Sequence, residues 1–301
     1  MKKISKVFIA TSSFSEHKNL IIKNKKFKFI ENPLKKKLKP EELIKYAKGC
    51  EYIIAGTENY NKHVIDDLKN LKSLYRLGSG IDNVDIDYLK KKKIDFSKSQ
   101  ITPEIAVAEL IIGYIFSFYR NIPEHDKNLK NKIWIKKMGF TLSGKTLGII
   151  GYGKVGKYLH GILKNFGIKF LINDIKKINQ KNTKLSTLIK NSDIISVNMN
   201  FLNKNKILSK KNLNLCKKNC LIINTSRPEV VDNDYLFELL KKNQILGACM
   251  DVFDQEPYYG KFTKLDNVVL TPHIGSYSRE IRSEMEKEAL GYILNTKAII
   301  S

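Results

Sequence analysis

A chain of 301 residues with 42% hydrophobic and 10% aromatic types holds enough apolar material for a real core. At about 150 residues per domain, its length suits two domains. Lysine and arginine number 54 against 30 aspartates and glutamates, a net charge of +24, and the apolar content excludes a wholly disordered chain.

The charge sits in scattered lysine runs, such as Lys35-Lys36-Lys37 and Lys90-Lys91-Lys92-Lys93, without interleaved aromatics. Such runs read as solvated surface rather than a nucleic-acid groove, although their field draws small anions. Nucleic-acid binding is therefore a minor alternative. The four cysteines, Cys50, Cys216, Cys220 and Cys249, make no Cys-x-x-Cys pair and have no histidine beside them, so no metal site is expected. Thiols beside apolar runs behave as core residues and suit a reducing compartment.

From the N-terminus, the first ten residues carry too short an apolar stretch for a signal peptide and read as a first strand of a cytoplasmic protein. Short apolar runs at 6–10, 51–56, 73–77 and 94–97 predict strands, separated by lysine-rich, helix-length stretches. Strands so spaced form βαβ units and a parallel sheet. Thr102-Pro103-Glu104 then combines a capping hydroxyl, a proline suited to the first helical position and an acid at the positive helix end. The helix predicted from there to Arg120 is apolar on nearly every face and must be buried between layers, domains or subunits. Its core, 108–119, includes Glu109 and is too short for a membrane span, which needs about twenty residues.

A second set of strands is predicted at 146–150, 169–173, 193–199, 220–224, 245–250 and 267–271. Six strands with helical connections make a doubly wound sheet complete in itself. The last stretch, 279–299, reads as an amphipathic helix that returns to the first domain. The fold class is thus α/β, with two doubly wound parallel-sheet domains. The substrate domain takes 1–102 plus 276–301, and a dinucleotide-binding Rossmann domain, 103–275, is inserted into it.

Directly after the strand 146–150 comes Gly151-Tyr152-Gly153-Lys154-Val155-Gly156, and then a stretch of helical spacing. Gly151 permits the tight turn, Gly153 the approach of a pyrophosphate to the backbone, and Gly156 the close packing of helix on strand. The phosphates sit at the helix N-terminus, where unpaired N–H groups and the dipole favour anions. Asp174, at the end of the next strand, would accept hydrogen bonds from the ribose hydroxyls and repel a 2′-phosphate. NAD is therefore the expected cofactor, with Lys176 and Lys177 as the nearby residues that could instead meet a phosphate.

Three polar residues follow later strands: Arg227, Glu256 and His273. Ligands of open α/β sheets bind outside the carboxyl ends of the strands, so all three face the nicotinamide end of the cofactor. A 2-oxo acid needs a planar bidentate cation for its carboxylate, which guanidinium supplies. Its carbonyl oxygen needs a proton as hydride arrives, which imidazolium gives, and a neighbouring carboxylate orients that imidazole.

With these residues in place, the chain resembles the D-isomer-specific 2-hydroxyacid dehydrogenase family over nearly its whole length. The resemblance rests on Arg76-Leu77-Gly78-Ser79-Gly80-Ile81-Asp82-Asn83-Val84-Asp85 and Ala106-Val107-Ala108-Glu109. It rests further on Gly144-Lys145-Thr146-Leu147-Gly148-Ile149-Ile150-Gly151-Tyr152-Gly153, Asn224-Thr225-Ser226-Arg227 and Thr271-Pro272-His273-Ile274-Gly275. It implies a flavodoxin-like substrate domain, a homodimer through the helix at 103–120, and closure of two domains over the substrate. Arg227 would grip the substrate carboxylate, completed by backbone at Ser79 and Gly80, with Glu256 and His273 as the acid/base pair. Thr225, Ser226, Asp251, His273 and Gly275 would line the nicotinamide half, and Lys154 and Val155 the pyrophosphate turn. Trp134 matches a tryptophan in the arm tied to dimerisation.

Two departures bear on the substrate. Many members follow the arginine with two glycines, where this chain has Pro228-Glu229, and many carry His-x-Pro where it has Asn198-Met199-Asn200. Proline pushes Arg227 towards an extended conformation and removes a backbone donor. The implied activity is NAD-dependent hydride transfer between a 2-hydroxy acid and its 2-oxo acid. A phosphoglycerate dehydrogenase-like role comes first, then glyoxylate/hydroxypyruvate reduction or D-lactate oxidation. The chain stops after its returning helix, so no C-terminal regulatory domain is expected. The competing class is a non-catalytic NAD-binding sensor or scaffold, against which stands retention of all three residues.

Overall fold

Along the strand Thr146–Ile150, Leu147 and Ile149 enter one apolar cluster while Ile150 enters another. The same alternation holds in its neighbours: Ile194, Leu221, Ile223 and Cys249 lie on one side, and Ile195, Val197, Ile222, Ala248 and Met250 on the other. Successive side chains of a strand point to opposite faces, so a sheet with two apolar faces must be covered on both. The computed structural model describes residues 4–22, 26–199 and 206–300; Asn200, one of the departures above, lies outside the described residues.

The chain divides into two units, one made of Met1–Pro103 with Tyr277–Ser301 and the other of Glu104–Ser276. In the first unit β1 (Ser5–Ile9), β2 (Phe27–Glu31), β3 (Tyr52–Ala55), β4 (Ser73–Arg76) and β5 (Asp95–Lys98) form a parallel sheet of order β2-β1-β3-β4-β5. This is the flavodoxin-like order, with its switch point between β1 and β3. β2 is not among the strands expected from the sequence. Its Phe-Lys-Phe-Ile-Glu pattern is short and half polar because it is an edge strand, and it sits among lysines that mask its alternation. The helix Arg279–Ile300 belongs to this unit and places Met285, Ala289, Leu290 and Ile293 in the same cluster as Val7, Ile9, Tyr52 and Tyr75.

In the second unit β6 (Thr146–Ile150), β7 (Lys169–Asn173), β8 (Ile194–Val197), β9 (Leu221–Asn224), β10 (Gly247–Met250) and β11 (Val268–Leu270) are all parallel, in the order β11-β10-β9-β8-β6-β7. All six expected strands are present. The helix Glu104–Tyr119 begins where Pro103 allows and buries Ala108, Ile111, Tyr114, Ile115 and Tyr119 against one sheet face. It is followed by a helix not anticipated from the sequence, Ile122–Lys130, none of whose residues is buried. Among the described residues no single helix is long and apolar enough to cross a membrane.

The strand order reverses between β6 and β8, and the crevice outside their carboxyl ends is where a doubly wound sheet binds ligands. Gly151 leaves β6 at φ +89, and a Cβ there would lie 2.8 Å from the carbonyl oxygen of Asn198, just past β8. Only glycine fits so close an approach in that conformation.

Candidate active site

The glycine-rich turn comes directly off β6. Gly153 is the residue before the helix Lys154–Leu163, offers no capping side chain, is exposed, and has open space where a Cβ would stand. The first N–H groups of that helix therefore meet no side-chain cap from Gly153, the arrangement that receives an anion. Gly156 is buried, and a Cβ on it would meet the Gly151 carbonyl oxygen at 2.4 Å, so the helix can start this close to the turn only with glycine there. Lys154 is exposed, 3.9 Å from Glu104, and Val155 is half-buried.

Asp174 follows β7 and is tied to this turn: its Oδ2 accepts the Tyr152 N–H at 2.6 Å and its Oδ1 the Lys176 N–H at 2.8 Å. Tyr152 in turn bonds His160 Nδ1 at 2.5 Å; burial and then Lys164 hold that imidazole below its usual range. The open cradle at Gly153 and the carboxylate at the end of β7 fit the diphosphate and ribose of a dinucleotide.

Arg227, Glu256 and His273 come from three neighbouring strands. Asn224, Met250 and Leu270 pair in register at the ends of β9, β10 and β11, with about 4.8 Å between adjacent strands. The chain leaves all three at the same edge. Asn224 is buried and shapes the first loop: its Oδ1 accepts the Ser226 N–H at 3.1 Å and the Ser226 hydroxyl at 3.0 Å, while its Nδ2 donates to the Arg227 carbonyl at 2.9 Å. Arg227 is extended, at φ −139 and ψ 143, as the following proline requires, and its guanidinium donates to the Ser226 carbonyl at 2.8 Å. Thr225, Ser226 and Arg227 are half-buried, and Glu229 is exposed.

The third loop holds His273 at φ +56, with Nδ1 3.0 Å from Oε1 and 3.1 Å from Oε2 of Glu256. The Glu256 side chain is 17% exposed and that of His273 36%. The carboxylate is thus largely withdrawn from water while the imidazole keeps an open side, and Nε2 is the nitrogen left to face a substrate.

Asp251 has a task the sequence reading did not foresee. Expected to line the nicotinamide, it is 1% exposed, and its Oδ1 accepts the Ile274 N–H at 2.7 Å and its Oδ2 the Gly275 N–H at 2.8 Å. The Thr271 hydroxyl also donates to Oδ1 and, its hydrogen so used, accepts from the buried Tyr114 hydroxyl. Burial raises the Asp251 carboxyl above its ordinary range, against the pull of Thr271, Ile274, His273 and Gly275. Asp251 therefore clamps the loop that presents His273. A second tie is Asn233, whose Nδ2 donates to the Pro228 carbonyl at 3.2 Å and to Asp254 at 3.1 Å, joining the arginine loop to the glutamate loop.

Ser79 and Gly80 belong to the other unit, on the loop after β4. Ser79 is exposed, its carbonyl accepts from Lys98 at 3.3 Å, and neither residue donates its N–H to an atom among the described residues. The described residues contain no group of three or more His, Cys, Asp or Glu able to hold a metal. All four cysteines are free, and Cys50, Cys220 and Cys249 are buried.

A parallel doubly wound sheet with a glycine cradle, and a histidine–carboxylate pair and an arginine at its carboxyl edge, defines a dinucleotide-dependent oxidoreductase. Residues 112–275 match the D-isomer specific 2-hydroxyacid dehydrogenase family in its NAD binding domain, and the chain belongs to that family. It is an NAD-dependent 2-hydroxyacid dehydrogenase. It is 34% identical over 247 residues to a glyoxylate reductase of Thermococcus litoralis, spanning 76% of this chain and 75% of that one. Over 257 residues it is 32% identical to a D-3-phosphoglycerate dehydrogenase of Methanocaldococcus jannaschii, spanning 81% of this chain and 49% of that one. The solved structure of D-lactate dehydrogenase from Escherichia coli superposes with a TM-score of 0.83 at 26% identity, covering 97% of each chain.

Proposed function

We propose that this chain reduces a short-tailed 2-oxo acid, glyoxylate or hydroxypyruvate, to the 2-hydroxy acid. Arg227 holds the substrate carboxylate. His273 gives its Nε2 proton to the carbonyl oxygen, and Glu256 orients the ring and stabilises its charged form. NAD in its reduced form, when bound, supplies the hydride to the carbonyl carbon. Gly151, Gly153, Lys154, Val155 and Gly156 receive its diphosphate, Asp174 its ribose, and Thr225, Ser226 and Gly275 border its nicotinamide. Asp251 acts there through the loop it clamps.

The observation that carries this reading is the 3.0 Å pairing of His273 Nδ1 with Glu256 on a loop next in register to that of Arg227. The short tail is favoured by the similarity to glyoxylate reductase and by the exposed negative charge of Glu229 close behind Arg227. A phosphorylated tail is the second reading, favoured by the similarity to phosphoglycerate dehydrogenase and by the surplus of lysine. NADH oxidation with a panel of 2-oxo acids tests the choice. Glyoxylate or hydroxypyruvate should exceed 3-phosphohydroxypyruvate in kcat/KM by about tenfold or more, and the reverse order overturns the reading.

The enzyme is further read as a cytoplasmic homodimer that binds neither nucleic acid nor membrane. Support for the dimer comes from the stretch after the helix Glu104–Tyr119, where Trp134 is 80% and Met138 94% exposed beside Leu129, Ile133 and Ile135. Apolar side chains so exposed in sequence mark an association surface.

A further inference from the structure

β7 ends in a loop that is closed at its base. Gly151, in the turn after β6, donates its N–H to the Asn173 carbonyl at 2.8 Å, and Thr183 donates its own to the Ile172 carbonyl at 2.7 Å. Asn182 pairs with Ile172 as an isolated parallel bridge, and Asn173 Nδ2 donates to the Thr183 carbonyl at 2.8 Å. The chain thus leaves β7 at Asp174 and returns beside it at Asn182. There the Asn182 side chain takes the place of a further rung of the ladder. Its Oδ1 accepts the Asp174 N–H at 3.1 Å, and its Nδ2 donates to the Asp174 carbonyl at 2.8 Å. One amide satisfies both backbone polar groups of Asp174.

The Asp174 carboxylate is held from the other side. Its Oδ2 accepts the Tyr152 N–H and its Oδ1 that of Lys176. A carboxylate has about four acceptor positions, so each oxygen keeps one for a donor such as a ribose hydroxyl. A single methylene joins this carboxylate to its backbone, so a shift of the backbone moves the oxygens with it.

We propose that Asn182 is a positioning residue for cofactor choice. By clamping the Asp174 backbone it keeps the carboxylate where it accepts the ribose hydroxyls and repels a 2′-phosphate. The proposal rests on the reading that Asp174 receives the ribose. Lys176, Lys177 and Lys181, all exposed on the same loop, carry the opposite charge. Once the base of the loop is loosened, the carboxylate loses its hold on the hydroxyls, while the lysine charge remains to attract a phosphate. Asn182 is itself exposed, so its replacement removes two hydrogen bonds without opening a cavity.

The test is fluorescence titration of the full chain with NADH and with NADPH, which reads binding without turnover and without a chosen substrate. Asn182→Ala should weaken NADH about tenfold while NADPH affinity holds or rises, so that the preference for NADH falls by at least that factor. Asn182→Ser, one bond too short to reach both groups, should behave alike, and it carries the test should Asn182→Ala not fold. Asp174→Ala marks the full loss of the preference. If Asp174→Ala abolishes the preference while the Asn182 variants keep the parent's ratio of dissociation constants, the role of Asn182 is refuted and the ribose reading stands. Equal weakening of both cofactors in the Asn182 variants also overturns it, because a merely structural loss does not tell the two apart. If a folded Asp174→Ala keeps the parent's preference, the ribose reading falls and the Asn182 proposal with it.

Discussion

Each unit buries a carboxylate just past the end of a strand, and the two are held differently. Asp251 accepts the Ile274 and Gly275 N–H groups and the Thr271 hydroxyl, all from the segment it fixes. The Glu58 carboxylate is held from its own loop, its Oε2 accepting the Gly56 N–H, and Arg76 and Lys37 add a weaker pull. Hydrogen-bond donors converging on a carboxylate stabilise its charged form, and burial opposes them. Burial is the larger influence at both sites, but at Asp251 three donors and His273 pull against it. The loop that presents His273 is tied by converging donors. Glu58, with fewer donors, is pushed up to about 7.

The largest expected effect is at Asp251. Asp251→Asn turns an amide donor towards one of two N–H groups that now meet oxygens, which should destabilise the protein by about 2–3 kcal/mol in urea unfolding. Displacement of the His273 loop should lower kcat by about 10- to 100-fold. Equal kcat in a folded Asp251→Asn would break the comparison.

Next comes the pH dependence of stability. The folded Glu58 carboxyl titrates at about 7 against an ordinary 4.5, so its contribution is fully present below 4.5 and is lost as pH rises through 7. The parent should lose on the order of 3 kcal/mol more than Glu58→Gln across that interval, measured by urea titration at successive pH values. Parallel curves would show that Glu58 does not titrate in this window. The smallest effect is Tyr114→Phe, which removes one hydroxyl from the Thr271 side of the clamp. It should cost about 1 kcal/mol of stability, with a smaller fall in kcat than Asp251→Asn gives.

What could be read from the sequence was local. Gly151, Gly153 and Gly156 announce the cradle because each is demanded by a contact a few residues away, and the six strands of the second unit show as uninterrupted apolar runs. The placement of Arg227, Glu256 and His273 at one edge was legible because each follows a strand whose end lies in register with the next. Their supports were not: Asn224 shapes the Arg227 loop, Tyr114 reaches Thr271 from a distant helix, and Asn233 bridges two loops through contacts set by strand register. Asp251 is expected beside the nicotinamide, but nothing local says that its oxygens also meet the Ile274 and Gly275 N–H groups. Glu58 lacks any motif at all. The edge strand β2 of that sheet was itself hidden among lysines.

In the proposed mechanism His273, oriented by Glu256, protonates the substrate as hydride arrives. It is tested most directly by turnover and NADH binding in His273→Ala. Glyoxylate reduction should fall by about a thousandfold or more while NADH still binds as in the parent. Turnover near the parental rate, with NADH bound, would contradict it.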